Sequence, residues 1–437
     1  MNEWKEEPLE NITIFIKDGS HGSHRDCENG IPLLSAKDIV DGKVIIPDDC
    51  RRISQKDYDQ MHSNYEIQQN DLALTIVGTI GRVALVEYIK QKFTFQRSVG
   101  LFRINSSMLN PVYCYHYFTS HEFQQALERS KNASAQGGVY LGELAKIKIS
   151  YPKELTIQRR MAHILTNWDV VIEKTKAAIS KYKAIKQGML HDLFTRGVDL
   201  KTGKLRPKYE DAPTLYKESK LGMVPKEWGV DSLENITEKI GSGVTPTGGS
   251  EIYKSSGVLF IRSQNVLIGS LSIEDAVFIT NEIDEMMESS RVKPFDVLLN
   301  ITGASIGRCS YFPIELRSAN VNQHVCIIRF INASKVLAVF ASEFINSSFG
   351  QKQINRANAG GNRDGLNFQQ IKSFHFPIID HPELKIISSI IETQSNKFCA
   401  EQSYLRKLQM IKSGLMADLL SGKKRVSVPE EVLAVSN

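Results

Sequence analysis

Apolar and polar positions along this chain alternate between two kinds of segment. Short apolar runs rich in branched side chains end at Gly, Asn or Ser, as at 72–77 and 297–301, and this pattern is typical of strands bounded by turns. Helical periodicity interrupts these runs at 111–130 and 335–350. The pattern therefore predicts modules of the α+β class.

Two longer stretches place mainly apolar or small residues at every seventh position, with polar interruptions in the second stretch. Such heptads are typical of helices that pack against a second helix. A helix over roughly 154–194 would be about 60 Å long at ~1.5 Å per residue, too long for its own module to cover. We therefore expect the two stretches to pair as an antiparallel coiled coil. The heptad positions are Met161, Trp168, Thr175, Tyr182 and Met189 with Leu165, Ile172, Ile179, Lys186 and Leu193, and then Ile387, Gln394, Glu401, Leu408 and Leu415 with Ile391, Phe398, Leu405, Lys412 and Leu419.

The same features occur twice at a nearly constant separation. Matches confined to separations of 224–227 residues over the whole length indicate a tandem duplication. The matched pairs include Trp4 and Trp228, Leu9-Glu10-Asn11-Ile12-Thr13 and Leu233-Glu234-Asn235-Ile236-Thr237, Thr79-Ile80-Gly81-Arg82 and Ser305-Ile306-Gly307-Arg308, Gln96 and Gln323, Pro152 and Pro377, and Gly188-Met189-Leu190 and Gly414-Leu415-Met416.

The duplication also predicts the domain organisation. Each copy has a module followed by a long helix, and a connector rich in Lys, Gly and Pro separates the copies. The predicted boundaries are 1–152 for the first module, 153–196 for the first long helix, 197–227 for the connector, 228–378 for the second module, 379–423 for the second long helix and 424–437 for a tail.

Composition narrows the class of protein only a little. The six cysteines form no Cys-x-x-Cys pair, which favours reduced thiols in a cytoplasmic protein. No apolar run approaches the ~20 residues that span a bilayer, and the N-terminus lacks the apolar segment of a signal peptide. The net charge of +5 is compatible with a polyanionic partner but does not require one.

Motifs that would carry out catalysis are not found in the sequence. It contains no phosphate-binding Gly-x-x-x-x-Gly-Lys-Ser/Thr loop, no His-Glu-x-x-His and no Asn/Asp-Pro-Pro-Tyr/Phe. Pro47-Asp48-Asp49 resembles part of a nuclease metal site, but a turn is the better interpretation. His21, His24, Asp26 and Cys27 have a spacing that could hold a metal, although a polar recognition loop is the favoured alternative. The sequence therefore predicts no catalytic residue and no metal site.

Candidate DNA-reading residues recur in equivalent places in the two copies. DNA readers use cationic and hydroxyl groups for phosphates, and Arg, Asn, Gln and Lys for base edges. Five loops in each copy carry such residues: the first (17–25 and 241–249), second (35–38 and 262–265), third (79–82 and 305–308), fourth (96–98 and 320–324) and fifth (136–138 and 361–364). Each loop could instead be a solvated turn. Glycine and apolar positions recur, whereas the polar tips differ, as two readers of different sequences on one scaffold would require.

The candidate DNA contacts follow from these loops. In the first module they are Lys17, Ser20, His21, Lys37, Thr79, Arg82, Gln96, Arg97 and Gln136. In the second module they are Thr245, Arg262, Gln264, Asn265, Ser305, Arg308, Asn322, Gln323, Asn362 and Arg363.

The chain as a whole resembles the specificity subunit of type I restriction–modification enzymes, over about residues 4–423. The second copy carries the resemblance most clearly, and the connector also looks like that family's central segment. The segments concerned are Gly243-Val244-Thr245-Pro246, Phe260-Ile261-Arg262, Asp296-Val297-Leu298-Leu299, Gly303-Ala304-Ser305-Ile306-Gly307-Arg308, Val321-Asn322-Gln323, Leu366-Asn367, Phe376-Pro377, and Leu221-Gly222-Met223-Val224-Pro225-Lys226-Glu227-Trp228.

This resemblance implies a non-catalytic, sequence-specific reader of double-stranded DNA. Two target-recognition domains would each read half of a bipartite, asymmetric site, and the helix pair would act as a ruler of about one turn of DNA. Two methylation subunits and the restriction subunits would be its partners in antiviral defence. S-adenosylmethionine for adenine methylation, ATP and Mg would be bound by those partners, with no cofactor in this chain.

Departures from the family pattern are confined to individual positions. The first copy has Gly19-Ser20-His21 where the pattern has Thr-Pro, and Gly137-Gly138-Val139 where it has a polar turn. Gln158 is the glutamine expected at the helix start, whereas the second copy has Glu383. Two alternatives stay open: a similar reader that serves a fused cleavage–methylation effector, and an enzyme whose nuclease or methyltransferase site has no recognisable motif.

Overall fold

The described part of the structure, which is a computed structural model, comprises residues 4–87, 89–132, 138–246, 248–316, 318–359 and 365–426. The chain divides into two units, each with one of the two modules and parts of both long helices. Unit 1 consists of Met1–Lys176 and Tyr404–Asn437, and unit 2 consists of Ala177–Ser403. The boundary between the units therefore crosses both long helices.

The first copy contains eleven described strands and six described helices. The strands are β1 (Trp4–Pro8), β2 (Thr13–Asp18), β3 (Ile31–Leu34), β4 (Ile39–Val40), β5 (Lys43–Val44), β6 (Arg52–Ile53), β7 (Leu72–Thr75), β8 (Val83–Leu85), β9 (Thr94–Phe95), β10 (Val99–Ile104) and β11 (Lys148–Pro152). The helices are α1 (Leu9–Ile12), α2 (Gln55–Met61), α3 (Pro111–Phe118), α4 (His121–Asn132), α5 (Leu141–Lys146) and the 42-residue α6 (Leu155–Arg196).

The connector and the second copy follow in the same order. The connector forms two hairpins, β12 (Val198–Asp199) with β13 (Lys204–Leu205) and β14 (Tyr216–Ser219) with β15 (Gly222–Pro225). The strands of the second copy are β16 (Gly229–Ser232), β17 (Thr237–Ser242), β18 (Val258–Ile261), β19 (Val277–Ile279), β20 (Arg291–Val292), β21 (Val297–Asn300), β22 (Cys309–Tyr311), β23 (Ala319–Val321), β24 (Val325–Phe330) and β25 (His375–Ile378). Its helices are α7 (Leu233–Ile236), α8 (Asn281–Met286), α9 (Lys335–Asn346), α10 (Ser348–Ala359), α11 (Phe368–Lys372) and the 40-residue α12 (His381–Leu420).

The two modules share their main sheet topology, which confirms the duplication and the α+β class. A four-stranded antiparallel sheet has the order β2-β10-β7-β8 in the first module and β17-β24-β21-β22 in the second. A smaller sheet contains a parallel pair, β3 with β9 and β18 with β23. The first and last strands of each module, β1 with β11 and β16 with β25, pair with each other. Each module therefore begins and ends at one edge, next to the long helix that follows.

A buried ion pair ties together neighbouring strands of the main sheet in both modules. Asp71, just before β7, accepts hydrogen bonds from Arg103 at 2.8 Å, and Asp296, just before β21, accepts them from Arg329 at 2.8 and 2.7 Å. The two carboxylates are 1% and 0% exposed, so each needs its arginine as a counter-charge. The pair thus fixes the equivalent strand ahead of the third loop in both copies.

Each predicted helical segment inside a module is two helices rather than one. The pattern at 111–130 breaks after α3, where Ser120 Oγ accepts a hydrogen bond from Phe123 N at 3.3 Å. Ser347 does the same for Phe349 N at 3.2 Å between α9 and α10. Serine favours such helix starts because its hydroxyl satisfies an otherwise free N–H. The break turns α4 and α10 towards the third loop.

The heptads of α6 and α12 mark the faces along which these helices are packed. Every heptad position is buried or half-buried. In unit 2, Lys186 Nζ lies 2.9 Å from Ser395 Oγ, and Lys397 lies over the Tyr182 ring at 4.7 Å. Lys186 contacts Ser395, and Tyr182, earlier on α6, contacts Lys397, later on α12. The helices therefore run antiparallel there. In unit 1, Lys412 of α12 forms an ion pair with Asp169 of α6.

Module cores extend onto both long helices. In unit 2, Phe194 near the end of α6 packs edge-on against Phe340 and Phe344 of α9, with ring centroids 5.2 and 5.4 Å apart. In unit 1, the core of the first module includes Met161 and Leu165 from α6 and Leu419 from the end of α12. Burial of this apolar surface attaches each module to parts of both helices. Among the described residues, no helix combines the length and apolar content needed to cross a bilayer.

The connector is attached to the start of α12 through one carboxylate. Glu383, 3% exposed, accepts hydrogen bonds from Arg206 Nη1 at 2.6 Å and Nη2 at 3.0 Å, from Val198 N at 2.8 Å and from Trp228 Nε1 at 3.2 Å. In the first copy, the neutral Gln158 instead bonds backbone groups, including the Pro152 carbonyl at 2.7 Å. Glu383 departs from the family pattern, and its carboxylate supplies the negative charge that pairs with Arg206 of the connector.

Candidate nucleic-acid interface

Three of the candidate loops of the first module meet at the parallel pair β3 and β9. In the first loop, Ser20 N donates to Phe95 O at 2.9 Å, and Ser20 O accepts from Arg97 N of the fourth loop at 3.0 Å. The second loop joins them because Ser98 Oγ accepts from Ala36 N at 3.1 Å. These contacts place the first, second and fourth loops side by side.

The third and fifth loops of the first module lie next to the same group. Ile76 N donates to Ser98 O at 2.9 Å, and Val77 pairs with Gly138 of the fifth loop. Arg82 of the third loop reaches the residue that follows the second loop, with Nη1 3.4 Å from Ile39 O. The structure therefore brings together all five loops of this module. Gln136 lies outside the described residues.

The second module repeats this arrangement at its first and fourth loops. Gly243 N donates to Asn322 O at 3.3 Å, and the Thr245 hydroxyl donates to Gln323 Oε1. Asn322 N in turn donates to Ile261 O at 3.1 Å, immediately before the second loop. The first, second and fourth loops are thus joined as in the first module.

Asn300, at the end of β21, connects the remaining loops of the second module. Its Nδ2 donates to Ser263 O at 2.8 Å in the second loop, and its backbone N donates to Arg308 O at 2.9 Å in the third. Thr302 pairs with Gly365, which follows the fifth loop, and Thr302 Oγ1 lies 2.6 Å from His324 Nδ1. Asn362 and Arg363 lie outside the described residues.

The candidate residues differ in how far they are available to a partner. Asn265 and Asn322, 4% and 7% exposed, use their amides within the module. Asn265 Nδ2 donates to Ser272 O at 3.0 Å, and Asn322 Oδ1 accepts from His324 N at 3.1 Å. Half-buried candidates are Lys17, Ser20, Gln96, Arg262 and Ser305, and exposed candidates are His21, Lys37, Thr79, Arg82, Arg97, Thr245, Gln264, Arg308 and Gln323.

Two of the half-buried cations lie over aromatic rings of their own module. Lys17 Nζ is 4.2 Å from the centroid of the Tyr65 ring, and the Arg262 guanidinium is 5.5 Å from that of Tyr253. Cation–π contact orients such side chains while leaving their charge in place. The exposed cations Lys37, Arg82, Arg97 and Arg308 are the ones most open to phosphates and base edges.

The histidine-containing first loop is fixed by contacts within the module. Ser20 Oγ lies 2.5 Å from His24 Nε2, and His21 Nε2 lies 2.5 Å from Asp18 Oδ2. Asp26 forms an ion pair with Arg51 at 2.7 Å. A hydrogen bond from the Ser54 hydroxyl, with His24 nearby, lowers the pKa of Asp57 below its ordinary value. The side chains of His21, His24 and Asp26 are thus paired within the module, which favours a polar recognition loop over a metal site.

Two glutamines contact the third loops and are not among the sequence candidates. Gln124 of α4 donates through Nε2 to Gly81 O at 2.9 Å, and Gln351 of α10 donates to Gly307 O at 2.9 Å. Each glutamine is more than 40 residues from its glycine, so no local motif joins them. Their recurrence at equivalent places in both copies was the one available signal in the sequence.

Replacement of Gly243 by alanine is expected to displace the first loop of the second module. An added Cβ would lie 1.7 Å from Val321 O, so the backbone must shift, whereas a Cβ at Gly241 meets nothing closer than 3.9 Å. We expect Gly243→Ala to cost about 1–3 kcal/mol of stability and to weaken DNA binding. Urea unfolding and competition binding measure both effects. Equal behaviour of Gly243→Ala and the control Gly241→Ala would contradict the prediction.

Comparisons with known proteins agree with this arrangement of two matched modules. Residues 2–181 match the family model "Type I restriction modification DNA specificity domain". The chain is 23% identical over 97% of its length, and 94% of the relative's, to the putative type I restriction enzyme MjaX specificity subunit of Methanocaldococcus jannaschii. It is 25% identical to the type I restriction enzyme EcoBI specificity subunit of Escherichia coli, over 44% of this chain and 41% of that one.

A solved structure supports the same fold assignment. The S subunit of a type I restriction–modification system from M. genitalium aligns over 96% of both chains, with a TM-score of 0.57 and 14% sequence identity. The relative and the solved structure both align over nearly the whole of this chain. Over nearly its whole length the chain is therefore similar to a type I restriction enzyme specificity subunit, and residues 2–181 match the DNA specificity domain of such systems.

Proposed function

We propose that this chain is the DNA-reading specificity subunit of a type I restriction–modification complex. The observation that carries the proposal is that equivalent loops converge in both modules. Their glycines are shared, while the exposed tips differ, as with Lys37 and Gln264. Pairing of Leu34 with Phe95 and of Ile261 with Val321 makes Gln323 the structural equivalent of Arg97, one residue beyond its sequence match Gln96, so this tip differs too. A common frame with different tips suits the reading of two different half-sites of a bipartite, asymmetric sequence in double-stranded DNA.

The same proposal assigns the chemistry to partner subunits. Two methylation subunits would supply S-adenosylmethionine-dependent adenine methylation, and restriction subunits would supply ATP- and Mg-dependent cleavage. This chain would read the sequence and hold the subunits together without a catalytic residue or cofactor of its own. The proposal also places it in the cytoplasm, and the long helices would set the spacing between the half-sites. No observation favours a fused cleavage–methylation effector, since the relatives are named as type I subunits.

The test is to sequence methylated adenines in cells that express this chain with its methylation subunits. We expect a split motif of two defined half-sites with a non-specific gap. Cells with the methylation subunits but without this chain are the control and should lack the motif. Adenine methylation at sites without a shared sequence, or DNA modification by the purified chain alone, would overturn the proposal.

The arginines of the third loops provide a sharper test of the half-site assignment. Arg308→Ala is expected to lower discrimination in the half-site read by the second module, and Arg82→Ala should act on the other half, each by ~1–3 kcal/mol. Competition binding of the purified complex, with duplexes altered in one half-site at a time, measures this loss. An equal loss on all sequences would mean that these arginines contact phosphate or support the loop.

A further inference from the structure

We propose that Gln124 and Gln351 are positioning residues for DNA reading. Each glutamine would fix the peptide unit that precedes the arginine of the third loop, Arg82 in one module and Arg308 in the other. This inference rests on the proposed function, and it assigns a role to side chains on α4 and α10 that lie behind the reading loops rather than on them.

Both glutamines make the same pair of hydrogen bonds. Gln124 Nε2 donates to Gly81 O at 2.9 Å and to Phe118 O, at the end of α3, at 2.7 Å. Gln351 Nε2 donates to Gly307 O at 2.9 Å and to Ile345 O, in the last turn of α9, at 3.0 Å. Each amide therefore links the third loop to the end of a helix that packs in the module core. A helix end is a rigid reference point for a loop.

Each glycine of these loops is matched to its glutamine. Gly81 and Gly307 have positive φ angles of 94° and 85°, a conformation that favours glycine. A Cβ at these positions would lie 2.4 Å from Gln124 Oε1 and 2.8 Å from Gln351 Oε1. The glycine thus permits both the backbone conformation and the close approach of the amide.

Fixing the glycine carbonyl also fixes the start of the arginine. The Gly81 carbonyl and the Arg82 N–H belong to one planar peptide unit, so they rotate together. Arg82 N donates to Thr75 Oγ1 at 2.9 Å, and Arg308 N donates to Ser305 O at 3.1 Å. The unit is therefore attached at both ends. Without the glutamine, the carbonyl end of this peptide unit loses its hydrogen bond, and the exposed arginine starts from a backbone that is held less firmly.

The three residues immediately before each glutamine differ between the copies. His121-Glu122-Phe123 precedes Gln124, whereas Ser348-Phe349-Gly350 precedes Gln351. Phe349 stacks on His191 at 5.7 Å, while its equivalent, Glu122, is an exposed carboxylate. If the glutamine served only to pack the helix, we would expect it to differ between the copies as the preceding residues do. The amide and its two acceptors nevertheless recur in both copies, as do the serines Ser120 and Ser347 at the helix starts.

The experiment combines substitution with sequencing of methylated adenines. Gln124→Met and Gln351→Met keep the length of the side chain and remove its donor. Each variant is expressed with the methylation subunits, and methylation is scored at sites that depart by one base in either half. We expect Gln124→Met to raise methylation at near-cognate first half-sites about tenfold, and Gln351→Met to do so for the second half-sites only. Gln125→Met, at an exposed neighbour on α4, is the matched control.

The outcomes distinguish this inference from the proposed function. A wild-type chain without a split motif would refute the proposed function itself. A wild-type split motif with unchanged stringency in both variants would refute the positioning role. Relaxation of both halves by either variant, with a lowered melting temperature, would show a structural role and also refute it. Gln124→Ala and Gln351→Ala, which remove the amide without adding a sulphur atom, repeat the test if a methionine variant does not fold.

Discussion

Replacing Arg206 by methionine is expected to lower the free energy of unfolding by about 3–5 kcal/mol. The substitution removes the counter-charge of Glu383 but leaves that carboxylate buried, with only Val198 N and Trp228 Nε1 as donors. Methionine preserves most of the apolar stem, so the loss reports charge rather than packing. Urea unfolding followed by Trp228 fluorescence measures the effect, because the indole contacts the same carboxylate.

Two further variants separate the charge from its surroundings. Arg206→Met combined with Glu383→Gln should recover most of the stability, since the first copy uses the neutral Gln158 at the equivalent position. Lys204→Met changes an exposed cation on the same hairpin and should cost less than about 0.5 kcal/mol. A double variant as unstable as Arg206→Met would refute the account based on an unpaired charge.

The lysines at equivalent heptad positions of the two long helices should respond very differently to the same substitution. Lys186 donates to Glu343 Oε1 at 2.7 Å, and the Glu343 side chain is 7% exposed. Lys412 pairs with Asp169, whose side chain is 34% exposed and can remain hydrated. We therefore expect Lys186→Met to cost about 3–5 kcal/mol. Lys412→Met should cost about 1 kcal/mol or less, as for a pair near the surface.

The duplication supplies the control for this comparison within one chain. Both variants remove one ammonium group from equivalent positions of a long helix, so they differ mainly in the burial of the carboxylate left behind. Urea unfolding of the two variants side by side gives the difference. Adding Glu343→Gln to Lys186→Met should restore stability because a neutral amide needs no counter-charge. Equal losses for Lys186→Met and Lys412→Met would contradict the prediction.

Features that depend on regular spacing were predictable from the sequence. The heptads of α6 and α12 predict the packed faces of both helices, and every heptad position is buried or half-buried. Lys186 and Lys412 look like interruptions of the pattern, yet each occupies its expected place with a carboxylate partner. The recurring glycines predict the loops, because a close backbone approach such as that of Gly243 to Val321 leaves no room for a side chain.

Features that depend on pairs distant in the chain were not predictable in this way. Arg206 and Glu383 are separated by 177 residues, so no periodicity links them, and the connector showed no sign of its two hairpins. The helix breaks at Ser120 and Ser347 depend on single hydroxyl groups that a hydrophobic pattern does not register. Asn265 and Asn322 resemble base-reading residues in type, and only their burial shows that their amides serve the loops themselves.

The passage of α6 and α12 through both units has a thermodynamic consequence. Each long helix continues from one unit into the other, so neither unit contains a complete set of its own structural elements. Unfolding one unit alone would truncate both α6 and α12 near their middles. The new helix ends would have unpaired backbone groups, and part of the apolar heptad positions would be exposed to water. The two units are therefore coupled in stability, and under the proposed function a target sequence that binds either module protects the folded state of both.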